Sequence, residues 1–317
     1  MKIAISNCGQ RRRVRRRASA LVVVFWLLAV LTMAIFTSLQ LVSSDVEMIA
    51  SQKHEFRASQ LCEMGIALAA NPQVERYDPL LTQYDASAAE GFRAVIRGEG
   101  GRLGINQVLQ RGEEGRLLLE AMFVNWGLER AMADEIISCL IDWTDGDDLV
   151  TVGGAELDWY EEQGFFGYPF NRPFYDVEEM ALVRGMELVS QVRPDWRDFF
   201  TLYGSGRIDL AEASYDLLVS VGVNPSDAEN LVRERMGADE IELTEDDVQF
   251  GSVEEAMALI PLSAGDPVLA NSFTVNEGTV RIESTARVAD YEKTVVMIIQ
   301  NRESTPVILS REEFLKP

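Results

Sequence analysis

The chain has 317 residues, with 29 basic against 51 acidic, one His and three Cys. That length suits about two domains, and a hydrophobic fraction of 47% supports a packed core rather than bulk disorder. One His excludes a His-built metal cluster and leaves His54 as the sole base for any Ser-His-Asp arrangement; three Cys exclude a disulfide framework.

Charge is segregated along the chain. Residues 1–17 carry Lys2 and six arginines (Arg11, Arg12, Arg13, Arg15, Arg16 and Arg17) and no acid, while 18–44 carry no charge at all. Residues 45–317 hold the remaining 22 basic and all 51 acidic residues, a balance of −29. Such a body repels nucleic acid and anionic lipid and attracts divalent cations.

As a helix, the uncharged run 18–44 is about 40 Å long, enough to cross a hydrocarbon core of about 30 Å. The arginines before it predict a cytoplasmic N-terminus, with the acidic body on the far side of the membrane. Three readings compete for the segment: an uncleaved anchor, a secretory signal cut near Ala34, and a prepilin-type leader cut between Ala18 and Ser19. The apolar residues continue past Ala34, which disfavours the secretory signal. On this segment alone the plain anchor is simplest. Residues 45–70, however, contain no Pro, and Val46, Ile49, Phe56, Leu61, Met64 and Leu68 lie near helical spacing. One helix is therefore expected from about 19 to 70, stopped at Asn71-Pro72. A pilin-like spine is the sharper reading, and an anchor with a stalk the blander one.

Beyond the helix, 71–90 reads as a loop with a short helix, Phe92–Ile96 as a strand, and 97–101 as a Gly-rich turn. Residues from about 105 to 250 are helical and loop-rich. Phe273 and Val275, then Val280 to Val288 in near alternation, then the apolar run Thr294–Gln300 read as an antiparallel meander. The fold class expected is α+β: a pilin-like long N-terminal helix and antiparallel sheet, with a large α-helical domain inserted. In order, the parts are a basic leader (1–18), the transmembrane and spine helix (19–70), a first pilin-like part (71–104), the inserted domain (105–250) and the C-terminal sheet part (251–317). The insertion contains a repeat: GRLGI (101–105) returns as GRIDL (206–210), and GLERAMADEII (127–137) aligns on GVNPSDAENLV (222–232). Such units are similar to helix-hairpin-helix or SAM-like modules, which often bind nucleic-acid backbone. The acidic surroundings favour packing modules here.

The most specific local feature is IDWTDGDD (141–148), followed by GGAE (153–156). Asp142, Asp145, Asp147, Asp148 and Glu156 place several hard oxygen donors on one loop, a donor set that suits Ca²⁺. The spacing is not that of an EF-hand. A solvated loop with Asp capping a helix is the alternative, and an acid/base pair of Asp142 and Glu156 is the weakest reading. Glu245-Asp246-Asp247 reads as solvated surface. Cys62 and Cys139 are expected to be buried free thiols; Cys8 has no visible role.

Several ordered motifs carry a family resemblance: SALVVVFWLLAVL after the basic leader, SQLCEMGIALA, FRAVIRGEGGRLGIN, IDWTDGDD…GGAELDWY, NRPFYDVEEMALVRG, and GRIDLAEAS…AENLVRERM. Together they resemble the minor pseudopilin K family of type II secretion, also called general secretion pathway protein K. The resemblance implies a prepilin leader cut after Ala18, Ca²⁺ in the inserted domain, and no Glu at mature position five, here Val23. A buried Glu there needs the N-terminal ammonium of a subunit above it, which a subunit at a filament tip lacks.

The expected function is that of a non-enzymatic subunit of a periplasmic pseudopilus, held in the bacterial inner membrane and initiating or capping its tip. Its partners would be other minor pseudopilins, the major pseudopilin, a prepilin peptidase, the inner-membrane assembly platform and, at the tip, secreted cargo, with no nucleic acid. The rivals are a minor pilin of a type IV pilus or DNA-uptake system, a membrane-anchored nucleic-acid binder, and a membrane-tethered hydrolase.

Overall fold

The computed structural model describes residues 11–85, 87, 89–260 and 267–316, without the side chains of 11–19, 44, 267, 268 and 316. Most of the leader, including Cys8, lies outside the described residues. Ala18 and Ser19 fall within helical backbone, their side chains undescribed. Two compact units divide the chain, 1–57 and 58–317.

Helix α1 spans Arg11–Ala70. Within the first unit it is the one described helix long and apolar enough to cross a membrane, and its apolar side chains from Leu21 to Val42 are exposed. In the second unit the same helix turns a stripe inward: Ala58, Leu61, Cys62, Ile66 and Ala69 are buried, at the three- and four-residue spacing of one helix face.

The stripe packs on a five-stranded antiparallel sheet. After α1 come β1 (Thr82–Asp85) and β2 (Glu90–Gly98), then the two-residue β3 (Leu103–Gly104). Helices follow: α2 (Ile105–Gln110), α3 (Glu113–Asn125), α4 (Arg130–Thr144), α5 (Leu157–Glu162) and α6 (Met186–Val192). Short β4 (Phe200–Thr201) and β5 (Ile208–Asp209) precede α7 (Tyr215–Ser220), α8 (Pro225–Arg235), α9 (Val253–Met257) and α10 (Pro267–Asn271). The chain then forms β6 (Phe273–Thr274), β7 (Thr279–Val288), β8 (Tyr291–Gln300) and β9 (Val307–Lys316). The large sheet has the order β1-β2-β7-β8-β9. Its register pairs Phe92 with Ala286 and Ile96 with Ile282, and Ile282 in turn with Met297. Alternate residues of β2, β7 and β8 thereby reach the α1 stripe in one core. The fold is α+β with helices placed between two parts of an antiparallel sheet, as the strand order predicts.

One strand assignment is corrected. Phe273–Thr274 leaves the meander and pairs in parallel with Ile208–Asp209, while β9 supplies the third long strand. Alternation alone cannot tell these partners apart.

A second core fills the helical block, around Leu118, Phe123, Ile137, Trp143, Phe200 and Leu217. Both copies of the sequence repeat share one geometry. α3 and α7 are each followed, just past the C-cap, by a glycine of positive φ, Gly127 and Gly222, and the next residue's N–H returns five residues back: Leu128 to the Phe123 carbonyl at 3.1 Å, Val223 to Leu218 at 3.0 Å. These are Schellman turns into α4 and α8. Each copy also closes on its own parallel ladder, β3 with β4 and β5 with β6.

Candidate functional site

The last turn of α4 buries Asp142 completely, and the N-cap position of α5 buries Glu156 to 4% exposure. Both Asp142 oxygens accept from the Thr151 N–H, at 3.1 and 3.2 Å, so the chain after the acidic loop folds back on the carboxylate. Gly154 makes that return possible: a Cβ there would lie 2.0 Å from Asp142 Oδ2. Glu156 does not cap its helix, and neither of its oxygens finds a hydrogen-bond partner among the described residues. Burial, followed by the carboxylates of Asp142, Asp145, Asp148 and Asp147, pushes the Glu156 carboxyl up to about 7. Burial also raises Asp145.

The remaining acids shape the loop itself. Asp145 closes α4; Asp147 accepts from the Leu149 N–H at 2.9 Å, and Asp148 accepts from Asn171 Nδ2 at 3.2 Å. Asn171 Nδ2 also reaches the Asp147 carbonyl at 3.2 Å. The five candidate residues thus lie near one another at the C-terminal end of α4. As placed, no three His, Cys, Asp or Glu side chains among the described residues converge closely enough to hold a metal ion.

An aromatic floor supports the loop. Trp143 packs against Tyr160, Tyr168, Phe170 and Phe174, with ring centroids 5.2–6.5 Å apart. The Tyr160 hydroxyl accepts from the Arg184 N–H at 3.1 Å, and Arg184 Nη1 donates to the Gly154 carbonyl at 3.3 Å. Asn171 and Arg184, which brace the loop, carry no signal in the sequence beyond their place in the NRPF and LVRG motifs. Cys139, behind the loop, is a buried free thiol whose pKa burial raises to about 12; Cys62, on α1, is likewise buried and free. Val23 lies on the exposed apolar part of α1.

Residues 101–194 match the family model for type II secretion system protein K. No curated protein gives a significant match. Among solved structures, a chain of the GspK-GspI-GspJ complex from the enterotoxigenic Escherichia coli type 2 secretion system has a similar fold. The TM-score is 0.58 at 16% identity, over 86% of this chain and 98% of that one. The resemblance read from the sequence holds on both counts: the chain is similar to type II secretion system protein K in sequence over 101–194, and in fold over most of its length.

Proposed function

We propose that the chain is a K-type minor pseudopilin, a non-enzymatic subunit anchored N-in by the apolar part of α1 and trimmed between Ala18 and Ser19. Its folded body would lie in the periplasm and join I-type and J-type partners at the tip of the pseudopilus. The observation that carries this reading is the interrupted sheet with its inserted helical block, an architecture shared with nearly the whole length of a chain from a GspK-GspI-GspJ complex. Val23 supports the tip position, because a Glu buried there would have no ammonium above it.

Calcium is part of the same proposal. A nearly buried carboxylate with two unpartnered oxygens beside a second buried carboxylate is the donor chemistry that a hard divalent cation satisfies. Asp142 and Glu156 would hold the ion, with Asp145, Asp147 and Asp148 supplying further charge; bound there, it would offset the two buried negative charges and tie α4 to α5.

The test is the mature N-terminus, determined by mass spectrometry on the membrane-extracted chain made with its own prepilin peptidase, together with co-purification alongside the I-type and J-type subunits. A chain beginning at Ser19 that brings both partners down is expected. A chain beginning at Met1, or one cut near Ala34, would overturn the reading.

A further inference from the structure

Residues 131–171 contain ten carboxylates and no Lys, Arg or His. The same stretch displays large apolar side chains to solvent. At the turn between Gly164 and Gly167, Phe165 is 54% and Phe166 79% exposed; on the acidic loop, Leu149, Val150 and Val152 are 76%, 62% and 94% exposed. The two tips belong to one surface. Asn171 ties the segment after the Phe turn to Asp147 and Asp148, and the Phe165 and Tyr168 rings stack at 6.3 Å on the same aromatic floor that carries Trp143. Asp158, Glu161 and Glu162 are exposed around them.

Exposed aromatic and aliphatic tips cost solubility unless they meet something, and clustered ones mark contact sites. Here the rim says what kind of contact. Eight of the ten carboxylates reach solvent, while the two arginines on the patch are engaged, Arg172 with Glu179 and Arg184 over the Trp159 ring. The surface is therefore net negative; it disfavours anionic lipid, nucleic acid and the chain's own acidic body, and steers cationic groups towards the apolar tips. We propose that the tips at 149–152 and 164–167 form a docking surface for a basic segment of a partner protein that carries exposed apolar side chains. This surface is separate from the α1 helix and does not depend on the proposed assembly through it.

The test uses the full chain in phosphatidylcholine nanodiscs at fixed millimolar Ca²⁺. The probe is a fluorescent Lys/Leu peptide, with a Lys/Ser peptide of equal charge as control, and binding is read by anisotropy. The Lys/Leu peptide is expected to bind about tenfold more weakly to the double variant Phe165→Ser/Phe166→Ser, since exposed aromatics dominate such contacts. Glu161→Gln/Glu162→Gln is expected to weaken both peptides and to flatten the salt dependence. Phe166, Glu161 and Glu162 face solvent and Phe165 is half-covered by Tyr168, so thermal unfolding should change little; if the Phe pair disturbs folding, Leu149→Ser/Val150→Ser replaces it. Equal Lys/Leu binding by parent and variants would overturn the proposal. So would a Phe-dependent loss of binding to phosphatidylethanolamine/phosphatidylglycerol vesicles, which assigns the tips to a membrane, or a Phe-dependent loss of self-association, which assigns them to a second copy.

Discussion

Glu99 and Arg281 make a two-point ion pair, Nε to Oε2 at 2.8 Å and Nη2 to Oε1 at 3.1 Å, with Glu99 only 1% exposed. Glu99 sits where β2 leaves the sheet for the helical block, and Arg281 lies on β7. The same carboxylate accepts from the Thr201 hydroxyl of β4 at 2.5 Å, so one buried charge joins the sheet to the block inserted in it. Removing one partner of a buried pair costs about 3–5 kcal/mol, because the other is left uncompensated. Glu99→Ala is therefore expected to lower stability by that order. Combined with Arg281→Met it should cost less than the sum of the two single changes, as read from denaturant midpoints.

Helix α1 lies directly against the sheet at Gly65. A Cβ there would lie 2.2 Å from Ser284 Oγ and 2.9 Å from Phe92 Cδ2. Gly65→Ala is expected to cost about 1–3 kcal/mol by overpacking. The Ser284 hydroxyl is itself buried without a hydrogen-bond partner among the described residues, so Ser284→Ala should be neutral or stabilising. Thermal melts of the two single variants separate these effects, and a Gly65→Ala chain as stable as its parent would contradict the contact.

Arg302 closes the C-terminal end of α1. Its guanidinium donates to the carbonyls of Ala69 and Asn71 at 2.7 Å and also to that of Val74, where a helix end leaves acceptors unpaired and partly negative. Arg302→Met keeps most of the stem and removes the donors. It is expected to cost about 1–3 kcal/mol, and hydrogen exchange at 66–74 should quicken before exchange in the helical block does.

The sequence makes the α1 stripe legible because one face repeats every three or four residues over 58–69, and the meander legible because Val280–Val288 alternates. It does not reveal β9: Ser310-Arg311-Glu312-Glu313 places three charges in a row, and an exposed edge strand needs no apolar alternation. Nor does it reveal Glu99, which reads as one more residue of a Gly-rich turn until Arg281, 182 positions away, is brought beside it. The acidic residues of the candidate site are visible as a cluster. That Glu156 alone has both oxygens buried and unpaired follows only from the return of the chain at 151–154, which spacing does not specify.

The Glu156 carboxyl supplies a pH test of the cation proposal. Its folded value of about 7 lies above the ordinary 4.5, so the folded chain holds this proton more tightly than the unfolded one. The associated stability is fully present below the ordinary value and is lost as pH rises through about 7, where a buried negative charge must form beside Asp142. In chelator, the melting temperature is therefore expected to fall between pH 5 and pH 8. Millimolar Ca²⁺ should restore it at pH 8 and do little at pH 5, since protons and the ion compete for the same oxygens. Glu156→Gln removes the titrating group, so that variant should show a flatter pH profile and a smaller calcium shift. A parent chain whose melting temperature ignores both pH and Ca²⁺ across this range would sink the assignment of Glu156 as a ligand, while leaving the fold and the resemblance to protein K where they stand.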